Sequence, residues 1–214
     1  MERKFQITES EERMVAVIDY GAGNINSVVK AIRLLGEEAV ITSDKEKIES
    51  ADKVILPGVG AFGDAMQKLH HLNLVEEIRR VAGRGTPFLG ICLGLQLLFE
   101  RSEESEGVEG LGILKGEILR IPTQPGIKVP HIGWNSLQYP REGRLFQGIE
   151  ENAYVYFVHS YYLKAEEEGI VTATTEYGTH IHASVEKGNI FACQFHPEKS
   201  SSVGLTILKN FLSL

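Results

Sequence analysis

The sequence predicts an α/β fold: a single domain whose mostly parallel central sheet is flanked by helices and gains antiparallel strands in the second half of the chain. Short apolar runs rich in β-branched residues alternate with segments of helical periodicity as far as Glu100. Beyond that point, strand-like segments follow one another across Gly, Pro and charged turns. A length of 214 residues, 43% hydrophobic and 24% charged, suits one globular domain.

In the first half, apolar runs predict strands over residues 14–19, 38–42, 53–57 and 87–91. Helices are predicted over residues 25–35, over 61–82 with a break near His70–Asn73, and over 93–100. Gly36 supplies the stop of the first helix. Because strands joined by helices form right-handed βαβ units, these strands are expected to lie parallel.

In the second half, apolar runs bounded by turn residues predict strands over residues 113–121, 131–139, 153–163, 169–177, 180–187 and 189–196. A last helix is predicted over about residues 202–212, with its apolar residues buried. No repeat or linker interrupts the chain. Residues 14–214 are therefore expected to form one domain, preceded by a polar extension over residues 1–13.

Charge and cysteine content exclude several classes of protein. The net charge of −7 comes from 22 basic and 29 acidic residues, with the excess mostly in two glutamate-rich tracts, residues 100–109 and 164–168. These tracts are interpreted as solvated loops. No cluster of basic residues indicates a nucleic-acid partner. The chain start lacks the apolar region of a signal peptide, and no apolar run is long enough for a bilayer of about 30 Å. Two cysteines are too few for a disulfide scaffold, so a cytoplasmic protein without membrane association is expected.

A G-x-C-x-G pattern, residues 90–94, stands at a predicted strand-to-helix junction. Small neighbours permit the sharp, strained turn of a nucleophile elbow, which lifts the central side chain clear of the sheet. The start of the following helix favours a thiolate and leaves backbone N–H groups free for an oxyanion. Cys92 is therefore a candidate nucleophile. A buried cysteine in tight strand–helix packing is the alternative.

A cysteine nucleophile requires a base, and His196-Pro197-Glu198 ends a strand-like run. In an extended chain, residues two apart point to the same side, and Pro197 biases His196 away from the helical region. His196 is then the candidate base, and Glu198 orients it as the acid does in a triad. A surface histidine beside a surface glutamate is the alternative.

Other patterns carry less chemistry. Residues 58–63 match G-x-G-x-x-G, but the next strand ends in Cys92 rather than in the acid that a dinucleotide site requires. That loop is instead expected to aim a backbone N–H at the active site. The pairs His70-His71 and His180-x-His182 lack a nearby third ligand, so no metal site is expected. No organic cofactor is expected either.

From about Val15 to Phe211 the chain resembles class I (triad-type) glutamine amidotransferases, whose fold is flavodoxin-like. The elbow and the His-Pro-Glu segment carry the resemblance to the class. Within the class the chain is most similar to the glutaminase subunits of imidazole glycerol phosphate synthases, which act in histidine biosynthesis. The segments that carry this closer resemblance are PGVGAFG (57–63), HIGWN (131–135) and FVHSYY (157–162).

The resemblance implies hydrolysis of glutamine to glutamate and ammonia through a cysteine thioester. Cys92 would attack the side-chain amide, His196 would protonate the departing ammonia and then activate water, and Glu198 would orient His196. The backbone N–H groups of Leu93 and Val59 would form the oxyanion hole, the second one only when a partner is engaged. The glutamine contacts that the resemblance implies are Gly58, Gln96, Ser160 and Tyr161.

The resemblance also implies a partner, because free ammonia is protonated in water and loses its nucleophilicity. The partner would be a (β/α)8-barrel cyclase subunit in a heterodimer. It would use the ammonia to make imidazole glycerol phosphate and aminoimidazole carboxamide ribotide. The residues implied at the interface are Asn24, His131, Trp134 and Asn135. From the residues alone, Trp134 suits an interface anchor or plain core packing equally well.

Three other functions stay open at this point. The ammonia could serve a different synthase, of anthranilate, purine, pyrimidine or pyridoxal formation. The chain could be a non-catalytic amidotransferase-like binding module, although such a module predicts a broken triad that the sequence does not contain. A cysteine hydrolase or peptidase that acts without a partner is the third.

Overall fold

The computed structural model describes residues 14–21 and 23–214, so the extension predicted over residues 1–13 lies outside the described residues. The strands of the described chain are β1 (Met14–Ile18), β2 (Glu38–Thr42), β3 (Lys53–Leu56), β4 (Phe88–Ile91), β5 (Arg101–Ser102), β6 (Gly116–Arg120), β7 (His131–Ser136), β8 (Tyr154–His159), β9 (Tyr161–Ala165), β10 (Val171–Glu176), β11 (His180–Lys187) and β12 (Ile190–Cys193). Its α-helices are α1 (Ile25–Leu34), α2 (Lys45–Ser50), α3 (Phe62–His71), α4 (Val75–Gly83), α5 (Leu93–Leu97) and α6 (Ser201–Leu212). Within these described ranges, no helix is long and apolar enough to cross a membrane.

The main sheet has seven strands in the order β10-β11-β12-β4-β3-β1-β2. The ladders from β12 across to β2 are parallel, whereas β10–β11 and β11–β12 are antiparallel. Outside this sheet, β5, β6 and β9 form a small sheet, and β7 pairs with β8. The predicted α/β fold, with a mostly parallel sheet and antiparallel additions, is confirmed.

Both faces of the main sheet are buried, which explains why its strands read as continuous apolar runs. Successive side chains of a strand point to opposite faces, so Ala16 and Ile18 enter one core cluster while Val15 and Val17 enter the other. Apolar residues of α3, α4 and α5 fill the first cluster, and those of α1 and α6 fill the second. The helices thus cover the two faces of the sheet.

The segment predicted as one strand over residues 153–163 is two strands, so that prediction was wrong. β8 pairs with β7, whereas β9 pairs with β6 in a different sheet. Ser160 lies at the change of direction between them. Both halves have strand-like composition, and only their distant pairing partners separate them.

The helix predicted over residues 93–100 is also wrong in length, because α5 ends at Leu97. After α5, the N–H groups of residues 110–114 donate to the carbonyls of residues 97–100, so these carbonyls pair with a distant segment and not with a continuing helix. A short helix that was not predicted, α2, begins after Asp44, whose carboxylate accepts a hydrogen bond from the N–H of Glu46.

The carboxyl ends of the parallel strands meet at one edge of the sheet, where ligands of open α/β sheets bind. β4 ends directly before Cys92, β3 ends directly before Pro57, and β12 ends at Cys193, three residues before His196. Cys193 pairs with Ile91 in the parallel ladder between β12 and β4. The sheet therefore delivers the elbow, the glycine-rich loop and the histidine segment to the same place.

Replacing Ile32 with Ala should lower the free energy of unfolding by about 2–5 kcal/mol, because its side chain is fully buried between α1 and the sheet. Leu34→Ala is the matched control. Leu34 lies in the same helix but is 73% exposed, so its truncation should change the free energy by less than about 0.5 kcal/mol. Urea unfolding followed by circular dichroism measures both variants, and equal losses would contradict the buried face assigned to α1.

Candidate active site

Cys92 occupies a sharp turn between β4 and α5, with φ 54° and ψ −108°. This conformation is rare for a residue with a side chain and typical of strained functional sites. The neighbouring glycines make the turn possible: a Cβ on Gly94 would lie 1.8 Å from the carbonyl oxygen of Leu56, and one on Gly90 would lie 2.8 Å from that of Gly94. The N–H of Cys92 donates to the carbonyl of Cys193 at 2.8 Å, which ties the turn to β12.

His196 and Glu198 meet by a different geometry from the predicted one. His196 itself is extended, as Pro197 favours, but residues 197–199 form a 3₁₀ turn, so the expectation that the chain stays extended as far as Glu198 is wrong. The turn nevertheless places Nδ1 of His196 2.9 Å from Oε1 of Glu198. Both side chains are buried, 3% and 0% exposed. The backbone of His196 is fixed by its N–H, which donates to the carbonyl of Tyr156 at 2.9 Å.

The sheet brings His196 to Cys92, and both side chains line one cavity of about 310 Å³. Burial by itself lowers the pKa of His196. Hydrogen bonds to Cys92 and Glu198, with the negative charge that each can carry, outweigh burial and raise the pKa of His196 above its ordinary value. The imidazole is therefore protonated at neutral pH, as an imidazolium that lies between a sulfur and a carboxylate. A larger cavity of about 770 Å³, between Tyr139 and Glu186, contains none of the candidate catalytic residues.

Most of the other predicted site residues surround the same cavity. Gln96, Ser160 and Tyr161 line it together with Val59, whereas Gly58 lies in the adjoining gap beside Glu198. Nε2 of Gln96 donates to the carbonyl of Tyr161 at 3.1 Å, so α5 is linked to the start of β9. The geometry therefore collects residues from the elbow, the glycine-rich loop and the corner between β8 and β9.

Sequence reasoning missed Glu104 and Lys199, which line this cavity, and Gln194, which lies beside it. Gln194 is fully buried; its Oε1 accepts from Gln96 at 3.1 Å, and its Nε2 lies 3.7 Å from the sulfur of Cys92. Glu104 lines the cavity and accepts from the N–H of Phe62, the first residue of α3, at 2.7 Å. Gln194 could have been noted from its place two residues before His196. Glu104 lies in the tract interpreted as a solvated loop, where nothing distinguishes it from its neighbours.

The two predicted oxyanion donors do not face one point in this conformation. The N–H of Leu93 points toward the carbonyl oxygen of Gly58, at 3.4 Å. Because that carbonyl and the N–H of Val59 belong to the same planar peptide, the N–H of Val59 points away from Leu93. The hydroxyl of Tyr20 donates to the carbonyl of Pro57 at 3.0 Å and holds the start of the loop.

The residues implied at a partner interface differ in exposure. Trp134 is 49% exposed, with its ring against Tyr156, so plain core packing does not describe it. Nδ2 of Asn135 donates to the carbonyl of Glu176 at 3.0 Å. The side chain of His131 is buried and is stacked between Phe157 and Tyr177, which leaves little of it for a partner.

Asn24, the fourth such residue, donates from Nδ2 to Oε1 of Glu198 at 2.8 Å. It is therefore attached to the candidate triad. Its role at a partner interface, which the family resemblance implies, stays a prediction.

Other histidines contact one another, backbone groups or single carboxylates. Nδ1 of His131 lies 3.0 Å from Nε2 of His159, and Nδ1 of His159 lies 2.9 Å from the carbonyl of Tyr161. Burial lowers the pKa of His131 to about 4 and that of His159 to about 3, so both rings are neutral at pH 7. Nδ1 of His182 accepts from the N–H of Ala165. Over residues 14–21 and 23–214, no group of three His, Cys, Asp or Glu could hold a metal ion.

The chain matches known amidotransferases in sequence. The family model described as "Glutamine amidotransferase class-I" matches residues 16–214. The chain is 56% identical to "Imidazole glycerol phosphate synthase subunit HisH" of Moorella thermoacetica, over 93% of this chain and 94% of that relative. It is 53% identical to the protein of the same name from Aquifex aeolicus, over 91% and 94% of the two chains.

Solved structures support the fold. A structure described as a glutamine amidotransferase matches with a TM-score of 0.73 at 21% identity, over 93% of this chain and 97% of that one. A chain of the structure of PurLQS from Thermotoga maritima matches with a TM-score of 0.73 at 22% identity, over 94% and 98%. At these identities the two structures bear on the fold alone.

Replacing Glu198 with Gln should lower the pKa of His196, because a neutral amide stabilises the imidazolium less than a carboxylate does. The raised pKa of His196 contributes stability that is fully present below its unfolded-state pKa and is lost as the pH rises through the folded-state pKa. In E198Q this contribution should therefore be smaller, and its loss should be complete at a lower pH. NMR titration of the histidine side chains measures the shift directly.

Glu176→Gln is the control for that titration, because Glu176 pairs with His180 on the surface and should leave His196 unchanged. A His196 titration that is the same in E198Q and the unmodified chain would show that the carboxylate does not hold the imidazolium.

Proposed function

The chain belongs to the class-I glutamine amidotransferase family, and we propose that it is the glutaminase subunit of an imidazole glycerol phosphate synthase. In this role residues 14–214 act as a single amidotransferase domain that hydrolyses glutamine and delivers ammonia for imidazole glycerol phosphate formation in histidine biosynthesis. Relatives that carry this name are 56% and 53% identical over more than nine-tenths of the chain. The observation that carries the chemistry is that Cys92 and His196 line one cavity, with His196 hydrogen-bonded to Glu198.

In the first half-reaction, Sγ of Cys92 attacks, as a thiolate beside the His196 imidazolium, the carbonyl carbon of the glutamine side-chain amide. The carbon–nitrogen bond then breaks, and His196 gives its proton to the departing nitrogen, which leaves as ammonia. The products are a γ-glutamyl thioester on Cys92 and a neutral imidazole. The raised pKa of His196 supports this step, because the proton that the leaving group needs is already on the ring.

In the second half-reaction, the neutral His196 takes a proton from water, whose oxygen attacks the thioester carbonyl. Collapse of that intermediate releases glutamate, and the imidazolium–thiolate pair is restored. Glu198 keeps Nδ1 protonated and oriented through both steps, since its Oε1 accepts from Nδ1 at 2.9 Å. The catalytic roles assigned here to Cys92, His196 and Glu198 agree with this geometry.

The oxyanion hole requires one movement. The N–H of Leu93 is aimed at the carbonyl of Gly58 rather than at an open position. Rotation of the peptide between Gly58 and Val59 would exchange this carbonyl for the N–H of Val59, so that two donors converge on the developing oxyanion. Val59 is 39% exposed, so the loop is accessible to a partner that could favour the rotated form.

Glutamine carries an ammonium and a carboxylate besides its amide, and the cavity has charges to match. Among the described residues that line it, Glu104 carries a carboxylate and Lys199 an ammonium. We assign Glu104 to the α-ammonium of glutamine, because opposite charges at a partly desolvated site contribute both affinity and orientation. Gln96, Ser160 and Tyr161 form the rest of the wall at which glutamine would bind.

We propose that the partner is a (β/α)8-barrel cyclase subunit, bound as a heterodimer on the β7–β8 surface. Ile132, Trp134 and Tyr154 are 60%, 49% and 58% exposed. Alternation along the strands and their cross-strand register place these side chains on one face. An exposed apolar face with a tryptophan anchor is typical of protein–protein interfaces. Delivery of ammonia to such a partner would limit its protonation in bulk water.

We further propose a cytoplasmic location. Cys92 and Cys193 are both free thiols, and the chemistry above needs Cys92 unoxidised. A reducing compartment keeps it so.

Replacing Cys92 with Ala should reduce glutamine hydrolysis by roughly a thousandfold or more, because no other group at the cavity can form the thioester. The assay mixes the chain, glutamine and the cyclase subunit, and follows glutamate together with the ammonia-dependent cyclase product. Full turnover by C92A would refute the mechanism. Glutamate without the cyclase product would refute the proposed partner.

Cys193→Ala is the matched control. Cys193 is fully buried, and burial raises the pKa of its thiol, which makes it unreactive. A glutamine analogue that alkylates thiols should therefore label the unmodified chain and C193A equally, and should not label C92A.

Replacing Glu104 with Gln should raise KM for glutamine roughly 10- to 100-fold while kcat changes little, since a charge-assisted hydrogen bond contributes about 1.5–3 kcal/mol. The amide of Gln keeps an oxygen that can accept from the N–H of Phe62, so the local fold should persist. Glu106→Gln is the control, because Glu106 is an exposed carboxylate of the same loop outside this cavity. Equal KM values for E104Q, E106Q and the unmodified chain would exclude the role proposed for Glu104.

A further inference from the structure

We propose that Asn24 is a positioning residue of this site: its side-chain amide holds the carboxylate of Glu198 in the orientation that serves His196. The inference rests on the proposed function, because it assigns to Asn24 a part in that chemistry. It is separate from the interface role that the family resemblance implies for Asn24, since it concerns a contact inside the chain.

The first observation is that Asn24 and His196 share one oxygen. Oε1 of Glu198 accepts from Nδ2 of Asn24 at 2.8 Å and from Nδ1 of His196 at 2.9 Å. The other oxygen, Oε2, is buried and has no hydrogen-bond partner within the described residues. Asn24 therefore supplies the second of the two bonds that fix the rotation of a fully buried carboxylate.

The second observation concerns what Asn24 does not do. It stands directly before α1, where an asparagine side chain usually accepts a hydrogen bond from the N–H groups of the first turn. Here the side chain makes no such bond, and the residue has φ 71°. The left-handed conformation, which Asn tolerates better than most residues, turns the amide toward Glu198 instead. The side chain of Asn24 therefore does not cap α1 and instead contacts a residue 174 positions away in sequence.

The third observation is that no water molecule fits beside the amide in the intact site. The gap bordered by Asn24, Val59 and Glu198 has no volume open to a water molecule. A buried carboxylate without a donor is costly, and a carboxylate that can rotate would orient the imidazole less well. In the intact site the donor at this position therefore comes from the protein.

The test uses two substitutions that both tolerate a positive φ. Asn24→Gly keeps the backbone conformation and removes the amide, while Asn24→Asp keeps the size and replaces the donor with an acceptor. With the cyclase subunit at saturating concentration, N24G should lower kcat roughly 10- to 100-fold and leave KM for glutamine within about twofold. N24D should lower kcat further, and its loss relative to the unmodified chain should deepen as the pH rises and the new carboxylate ionises.

Asn26→Ala is the matched control, because Asn26 is an exposed asparagine of the same helix. It should keep the kcat of the unmodified chain. NMR titration of His196 in the isolated chain gives a readout that needs no partner: the titration should change in N24G and N24D but not in N26A.

The possible outcomes separate the two proposals. If kcat of N24G and of N24D stays within about twofold of the unmodified chain and His196 titrates as before, Asn24 does not position Glu198. If the loss disappears once the cyclase is saturating, Asn24 acts only at the interface, which also overturns the inference. In both cases C92A remains inactive. Full turnover by C92A would instead sink the proposed function itself.

Discussion

The parallel pairing of β4 with β12 is the constraint on which the rest of the site depends. The ladder aligns Ile91 with Cys193, and the N–H of Cys92 donates to the carbonyl of Cys193, so the elbow and the histidine segment leave the sheet side by side. His196 and Cys92 could not line the same cavity if β12 had entered the sheet at another position or in another register. A slip of one residue in a two-sided buried sheet would also reverse every side chain between the two cores.

Close packing at the elbow makes that alignment rigid. α5 approaches β3 so closely that a Cβ on Gly94 would overlap the carbonyl of Leu56. The same closeness holds Cys92 in a strained conformation that an isolated segment would leave. The cost is met by the surrounding core, where the side chains of Leu93 and Leu95 are almost fully buried. Burial also brings a penalty for His196 and Glu198, which their mutual hydrogen bond and the contact with Cys92 offset.

The site is arranged but not complete. The candidate nucleophile, base and orienting carboxylate are in place, yet the carbonyl of Gly58 occupies the direction in which an oxyanion donor is needed. The loop that carries it is held at Pro57 by Tyr20 and is partly exposed at Val59. Asn24 borders the same gap from the start of α1. Two segments that contact the candidate catalytic residues are therefore partly exposed, which agrees with the proposal that this enzyme delivers its ammonia to a bound partner.

Local signals in the sequence determined the alternation of strands and helices, the elbow around Cys92 and the identity of the histidine segment. These signals depend on periodicity and on the small size of Gly90 and Gly94, which act over a few neighbouring residues. Tertiary structure alone decided that residues 153–163 divide between two sheets, that α5 stops at Leu97 and that Pro197 starts a turn. It also brought Glu104, Gln194 and Asn24 to the cavity or the triad. Each of these depends on hydrogen bonds or packing between distant segments. Such long-range contacts produce no periodic pattern in the local sequence.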